Sequence, residues 1–163
     1  MQVSMRPSRL IAAGLGTGFA PEAPGTAGSL LGLVIGTALL QHGLTPLALG
    51  TLAATLLGLW AIQDCTRLPI WRPGGDPFDP GWIVIDEIAG QMLAMLALPR
   101  ATLPGVTVAF ALFRLFDIRK PGPIGWLDRQ GGAAAIMGDD VLAGIFAALV
   151  LLGVRAAWPE LFS

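Results

Sequence analysis

A chain of 163 residues that is 54% hydrophobic and only 13% charged, with a mean hydropathy of +0.70, is a single domain too apolar for an ordinary soluble globule. A formal net charge of −1 leaves no broad basic surface for nucleic acid, and the lone Cys65 excludes a disulfide framework and a cysteine-rich zinc site. The one histidine, His42, stands in the short polar break QHG and reads as a solvated loop residue.

The N-terminus, MQVSMRPSRLIAAGLGTGFAPEAPG, sets Arg6 and Arg9 before an apolar run, as a signal peptide would. Gly14, Gly16, Gly18 and Pro21 interrupt that run, so a short interfacial or re-entrant segment is expected there. Five apolar segments can be marked, at about 27–40, 45–62, 83–98, 104–116 and 141–158. Pro/Gly-rich breaks at 41–46, 73–81, 99–105 and 121–132 separate them. Several are shorter than the roughly 20 residues that cross a bilayer squarely. The expected fold is all-α: a small polytopic membrane helical bundle of four to five transmembrane or re-entrant helices, with residues 1–163 as one membrane-embedded domain. Arg6, Arg9, Arg67, Arg72, Arg119, Lys120 and Arg129 fall on one side of this arrangement, and Arg100 and Arg155 on the other. If all five segments cross, the positive-inside rule puts the N-terminus and the 63–82 and 117–140 loops in the cytoplasm.

Carboxylates concentrate at that same face. The block IVIDEIAGQ carries Asp86 and Glu87 a few residues into an apolar run, FRLFDIRKPGPIGWLDR carries Asp117 and Asp128, and IMGDDVLAG carries Asp139 and Asp140. Asp64, Asp76 and Asp79 read as loop charges ahead of the first block. A charge at the edge of a bilayer core is costly and marks function by default. Arg114, Asp117 and Lys120, spaced i, i+3, i+6, form one helical stripe that Pro121 ends. Asp86 and Glu87 exceed what a first-turn dipole role asks for. At Asp139 an N-cap is the plain reading, with Asp140 pointing into a site. The glycines of GTGFAPEAPGTAGSLLG, with Thr26 and Ser29, precede a helix whose N-terminus would suit a phosphate.

Six carboxylates with no usable His or Cys suit a hard cation such as Mg²⁺. Basic side chains beside it suit a phosphate. The reaction class that follows is metal-assisted phosphoryl hydrolysis. Other routes lack their residues. A Cys followed after five residues by Arg is missing, since five residues after Cys65 comes Trp71 with Arg72 one place too late, and there is neither a second histidine nor a DxDx[TV] motif.

Four ordered blocks, PEAPGTAGSL (21–30), DPGWIVIDEIAGQ (79–91), FRLFDIRKPGPIGWLDR (113–129) and GGAAAIMGDDVLAG (131–144), resemble the phosphatidylglycerophosphatase A family of bacterial membrane lipid phosphatases. The resemblance implies Mg²⁺-dependent hydrolysis of phosphatidylglycerophosphate to phosphatidylglycerol and phosphate at the cytoplasmic face of the inner membrane. On that basis Asp86, Glu87, Asp139 and Asp140 are expected to hold one or two Mg²⁺ ions. Arg114, Lys120 and Arg129, with Thr26 and Ser29, would bind the phosphate, and Asp117 or Asp128 would orient or deprotonate the attacking water. The rival from another class is a small membrane cation transporter or channel using intramembrane carboxylates. Against it, a permeation path should also place polar groups at mid-depth and on the far side.

Overall fold

The computed structural model describes residues 6–67 and 81–162, and among these every regular element is helical. Arg72, Asp76 and Asp79 lie outside the described residues. In chain order the α-helices are α1 (Pro7–Ala12), α2 (Pro24–Leu40), α3 (Leu44–Thr66), α4 (Ile85–Met95), α5 (Leu103–Arg119), α6 (Pro123–Asp128) and α7 (Ala133–Ala157). Short 3-10 turns follow α1 at Gly14–Phe19 and α7 at Pro159–Phe162.

All five marked apolar segments are found as helices. The broken N-terminal run becomes α1 and a 3-10 turn, with Leu15 and Gly16 at positive φ inside that turn. His42 is exposed in the turn between α2 and α3. Asp64 is a correction: α3 continues to Thr66, so Asp64 is helical, and its Oδ2 accepts a 2.6 Å hydrogen bond from Ser8 of α1. The last apolar segment is a second correction, since α7 begins at Ala133 rather than near residue 141.

α4 is the hub, packed against α2, α3, α5 and α7. Nine of its eleven residues are buried, from Ile85 to Met95, as a helix enclosed on all sides must be. At about 17 Å it is too short to cross a bilayer core of about 30 Å by itself. Its neighbours reach it through small residues, the device that lets helix backbones touch where apolar burial alone does not discriminate between partners. On α2, a Cβ at Gly32 would lie 2.8 Å from the Ile88 carbonyl oxygen. On α7, a Cβ at Gly144 would lie 2.5 Å from the Gly90 carbonyl oxygen, and α4 and α7 meet backbone to backbone there.

By length and composition α3 and α7 can cross a membrane, at 23 and 25 residues, while α2 is apolar but shorter. α3 turns Leu49, Leu52, Leu56 and Trp60 outward, each more than half exposed. A contiguous apolar exterior of this kind is a surface for lipid or for a partner, not for water.

Candidate active site

One cavity of about 250 Å³ collects side chains from four helices. α4 contributes Asp86 and Glu87 from its first turn, α5 ends in Asp117 and Lys120, α6 ends in Asp128, and α7 adds Asp139 and Asp140. Gly81, Ile83 and Ile136 complete the wall. Local sequence explains each placement. Val84, at the N-cap of α4, donates from its N–H to the Ala12 carbonyl at 2.9 Å, which fixes where α4 starts. The two acids that follow meet the positive end of that helix. Pro121 ends α5 after Arg119, and Lys120 turns away at φ 44°. Gly122 at φ 55° and Pro123 at the first helical position then start α6.

The carboxylates divide by partner. Asp86, Glu87 and Asp140 each offer one oxygen, and these three oxygens lie within 4.8 Å of one another. The Glu87 N–H donates to Asp86 Oδ1 at 3.1 Å, while Glu87 Oε2 is buried with no hydrogen-bond partner. Three oxygens of this kind in a buried cavity repel one another unless a cation or protons intervene. Asp139 turns elsewhere: its Oδ2 accepts from Lys120 Nζ at 2.5 Å, and the same ammonium donates to Asp128. Asp139 is therefore no helix cap. α7 starts six residues earlier at Ala133 and is capped by Gly132, so both aspartates project from within the helix. By the helical rise, they sit about 10 Å in from its N-terminus.

The basic residues also separate. Arg114 pairs with Asp117 and donates to Thr26 Oγ1 at 3.2 Å and Ser29 Oγ at 3.4 Å. Ser29 in turn donates to the Gly25 carbonyl at 2.8 Å. The structure thus brings together the sequence's Arg114, Thr26 and Ser29, with the two hydroxyls as acceptors that hold the guanidinium. The Thr26 N–H is committed to the Ala23 carbonyl within the first turn of α2. Lys120 does not snorkel: it ties α5 to α6 and α7. Burial opposes its charge, yet donation to Asp128 and Asp139 outweighs that and holds its pKa above the usual lysine range. Arg129 stands exposed at the end of α6 and does not line the cavity.

Sequence reasoning did not single out Gly25. A Cβ there would lie 2.4 Å from Glu87 Oε1, so the start of α2 covers the Glu87 carboxylate with bare backbone. Its signal was present in PEAPGTAGSL as a glycine just inside a helix start, but its opposite number on α4 is 62 positions away.

Buried carboxylates that could gather a cation thus lie beside an ammonium and a guanidinium within one helical bundle. The chain matches the family model described as phosphatidylglycerophosphatase A over residues 10–155. It belongs to that family and is an enzyme, a phosphoric monoester hydrolase. It is 37% identical over 153 residues to a phosphatidylglycerophosphatase A of Haemophilus influenzae, a match covering 93% of this chain and 90% of the relative. With a phosphatidylglycerophosphatase A of Escherichia coli it shares 31% over 154 residues, 94% of this chain and 86% of the relative. A Bacteroides thetaiotaomicron protein named as a putative phosphatidylinositol-3-phosphatase is 39% identical over 158 residues, covering 90% and 92%. No solved structure matches the chain.

Proposed function

We propose that the protein is a Mg²⁺-dependent lipid phosphatase that converts phosphatidylglycerophosphate to phosphatidylglycerol and phosphate in phospholipid biosynthesis. It would act as a multi-pass protein of the bacterial inner membrane with its site facing the cytoplasm. The observation that carries this reading is the oxygen triad of Asp86, Glu87 and Asp140, in the same cavity as Lys120, Asp117 and Asp128. The donor set fits a hard cation. It is all oxygen, and the buried Glu87 Oε2 lacks a partner that a cation or its water would supply.

Asp86, Glu87 and Asp140 would hold the ion, with Asp139 on the same wall. When bound, Mg²⁺ polarises phosphoryl oxygens and offsets the charge that builds up on them. The remaining steps belong to the chain. Lys120 and Arg114 bind phosphate oxygens, and Arg129 meets the headgroup outside the cavity. Thr26 and Ser29 aim the Arg114 guanidinium. Asp117 or Asp128 takes the proton of the attacking water at a carboxylate oxygen. The outward-facing leucines of α3 keep the enzyme in the bilayer that holds the acyl chains.

Two relatives bear the phosphatidylglycerophosphatase name and one a phosphoinositide name, so headgroup choice is the point to measure. Purified protein would be given phosphatidylglycerophosphate or phosphatidylinositol 3-phosphate in mixed micelles, with MgCl₂ or with EDTA. Phosphate should be released from phosphatidylglycerophosphate several-fold faster, and only with Mg²⁺. Undiminished release in EDTA would sink the metal assignment, and faster release from the phosphoinositide would sink the substrate. The cation-transporter reading is not favoured, because family membership points to hydrolysis.

A further inference from the structure

One turn beyond Glu87 on α4 stands Gln91, fully buried, with neither its side-chain nitrogen nor its side-chain oxygen hydrogen-bonded. Together with Glu87 Oε2 this makes three orphaned polar atoms on residues spaced i, i+4. That spacing puts both side chains on one helix face. α2 covers both: a Cβ at Gly25 would meet the Glu87 carboxylate, and a Cβ at Gly32 would lie 3.2 Å from Gln91 Cβ. A buried polar atom without a partner destabilises the fold. Two orphaned residues stacked beside a carboxylate cluster therefore call for a reason. Packing supplies none, since methionine would fill the Gln91 site at similar volume without that cost.

We propose that Gln91 is a positioning residue for Glu87. Its amide donates to Glu87 Oε2 through one buried water held between α4 and α2, and so fixes the carboxylate in the rotamer that joins Asp86 and Asp140. The three orphaned atoms give such a water the two to four polar partners it needs. The amide suits the position because it donates without adding charge to a site already rich in anions. Residues that orient metal ligands in this way are commonly worth 10–100-fold in metal affinity. The inference rests on the reading of Asp86, Glu87 and Asp140 as cation ligands.

The test compares wild type with Gln91→Met and, as a smaller apolar replacement, Gln91→Leu, all as purified full-length protein. Thermal stability is followed during titration with MgCl₂ alone, and phosphate release is measured at each Mg²⁺ concentration. Without Mg²⁺, a cooperative melt shows that each variant is folded. The Mg²⁺ concentration giving half the stabilisation should rise at least tenfold. Phosphate release should show the same shift and recover most of its rate at saturating Mg²⁺. If either folded variant keeps its Mg²⁺ midpoint within twofold of wild type, Gln91 does not position Glu87 and the proposal falls. A wild type that shows no response to Mg²⁺ overturns the metal reading first, and this inference with it.

Discussion

Lys120 leaves α5 in the left-handed region and gives its ammonium to Asp128 of α6 and Asp139 of α7. Replacing it by methionine strands Asp139, whose side chain is almost wholly buried. The cost should be about 1–3 kcal/mol, read as a fall in melting temperature. A lysine whose folded pKa stands above its unfolded value contributes stability that is complete below the unfolded pKa and lost only as pH rises through the folded one. That window begins above the ordinary lysine value of about 10.4. The gap in melting temperature between wild type and Lys120→Met should therefore not narrow between about pH 6 and about pH 9. A gap that closes within this range would mean the ammonium is not held as described. At the proposed metal site, Asp86→Asn and Asp140→Asn should each reduce phosphate release by at least about 100-fold, since even residues that merely orient ligands are worth 10–100-fold. Both proteins should still extract with the membrane fraction. The adjacent acids Asp86 and Glu87 were legible because an apolar run gives them no other business. The division of labour between Asp140 and Asp139 was not, because Lys120 chooses its partner across 19 residues of chain that only the fold brings together.

At the scale of elements, the apolar runs located every long helix, yet α7 was misjudged at its start. Hydropathy falls at Gly138, Asp139 and Asp140 and looks like a boundary. The preceding AAAIM is strong helix-forming sequence, and the buried acids are carried inside the helix by the cavity they face. α6 was hidden for a different reason: its six residues lie in a Pro/Gly-rich stretch that reads as a break, whereas Gly122 and Pro123 in fact begin a helix there. The shortness of α4 makes its packing a sensitive probe. Gly144→Leu would drive a side chain into the Gly90 carbonyl and separate α4 from α7. We expect a loss of about 1–3 kcal/mol in stability. Phosphate release should fall further than stability does, because Asp86 and Asp140 approach each other across that same contact. Thermal melts and activity assays on one preparation check both parts.

For the molecule as a whole, the bundle brings charges from four helices together near one end of α7. The composition pointed to this arrangement: a chain with so few charges that still clusters them is building a polar pocket within an apolar body. A cation that binds only the folded protein stabilises it by mass action, by about 2.7 kcal/mol at a hundredfold excess over its dissociation constant. MgCl₂ should accordingly raise the melting temperature of the wild type, and Asp140→Asn should abolish most of that rise. An equal rise in the variant would place the ion elsewhere.

The double commitment of Lys120 bears on how the enzyme would turn over. An ammonium already shared by two carboxylates enters any exchange with a third anion as a competition, and the displaced aspartates stand ready to reclaim it. In the proposed reaction, such a residue grips the incoming headgroup less firmly than a free lysine would, but lets go of inorganic phosphate more readily. Asp128→Asn, which removes one claimant, should make free phosphate a stronger product inhibitor.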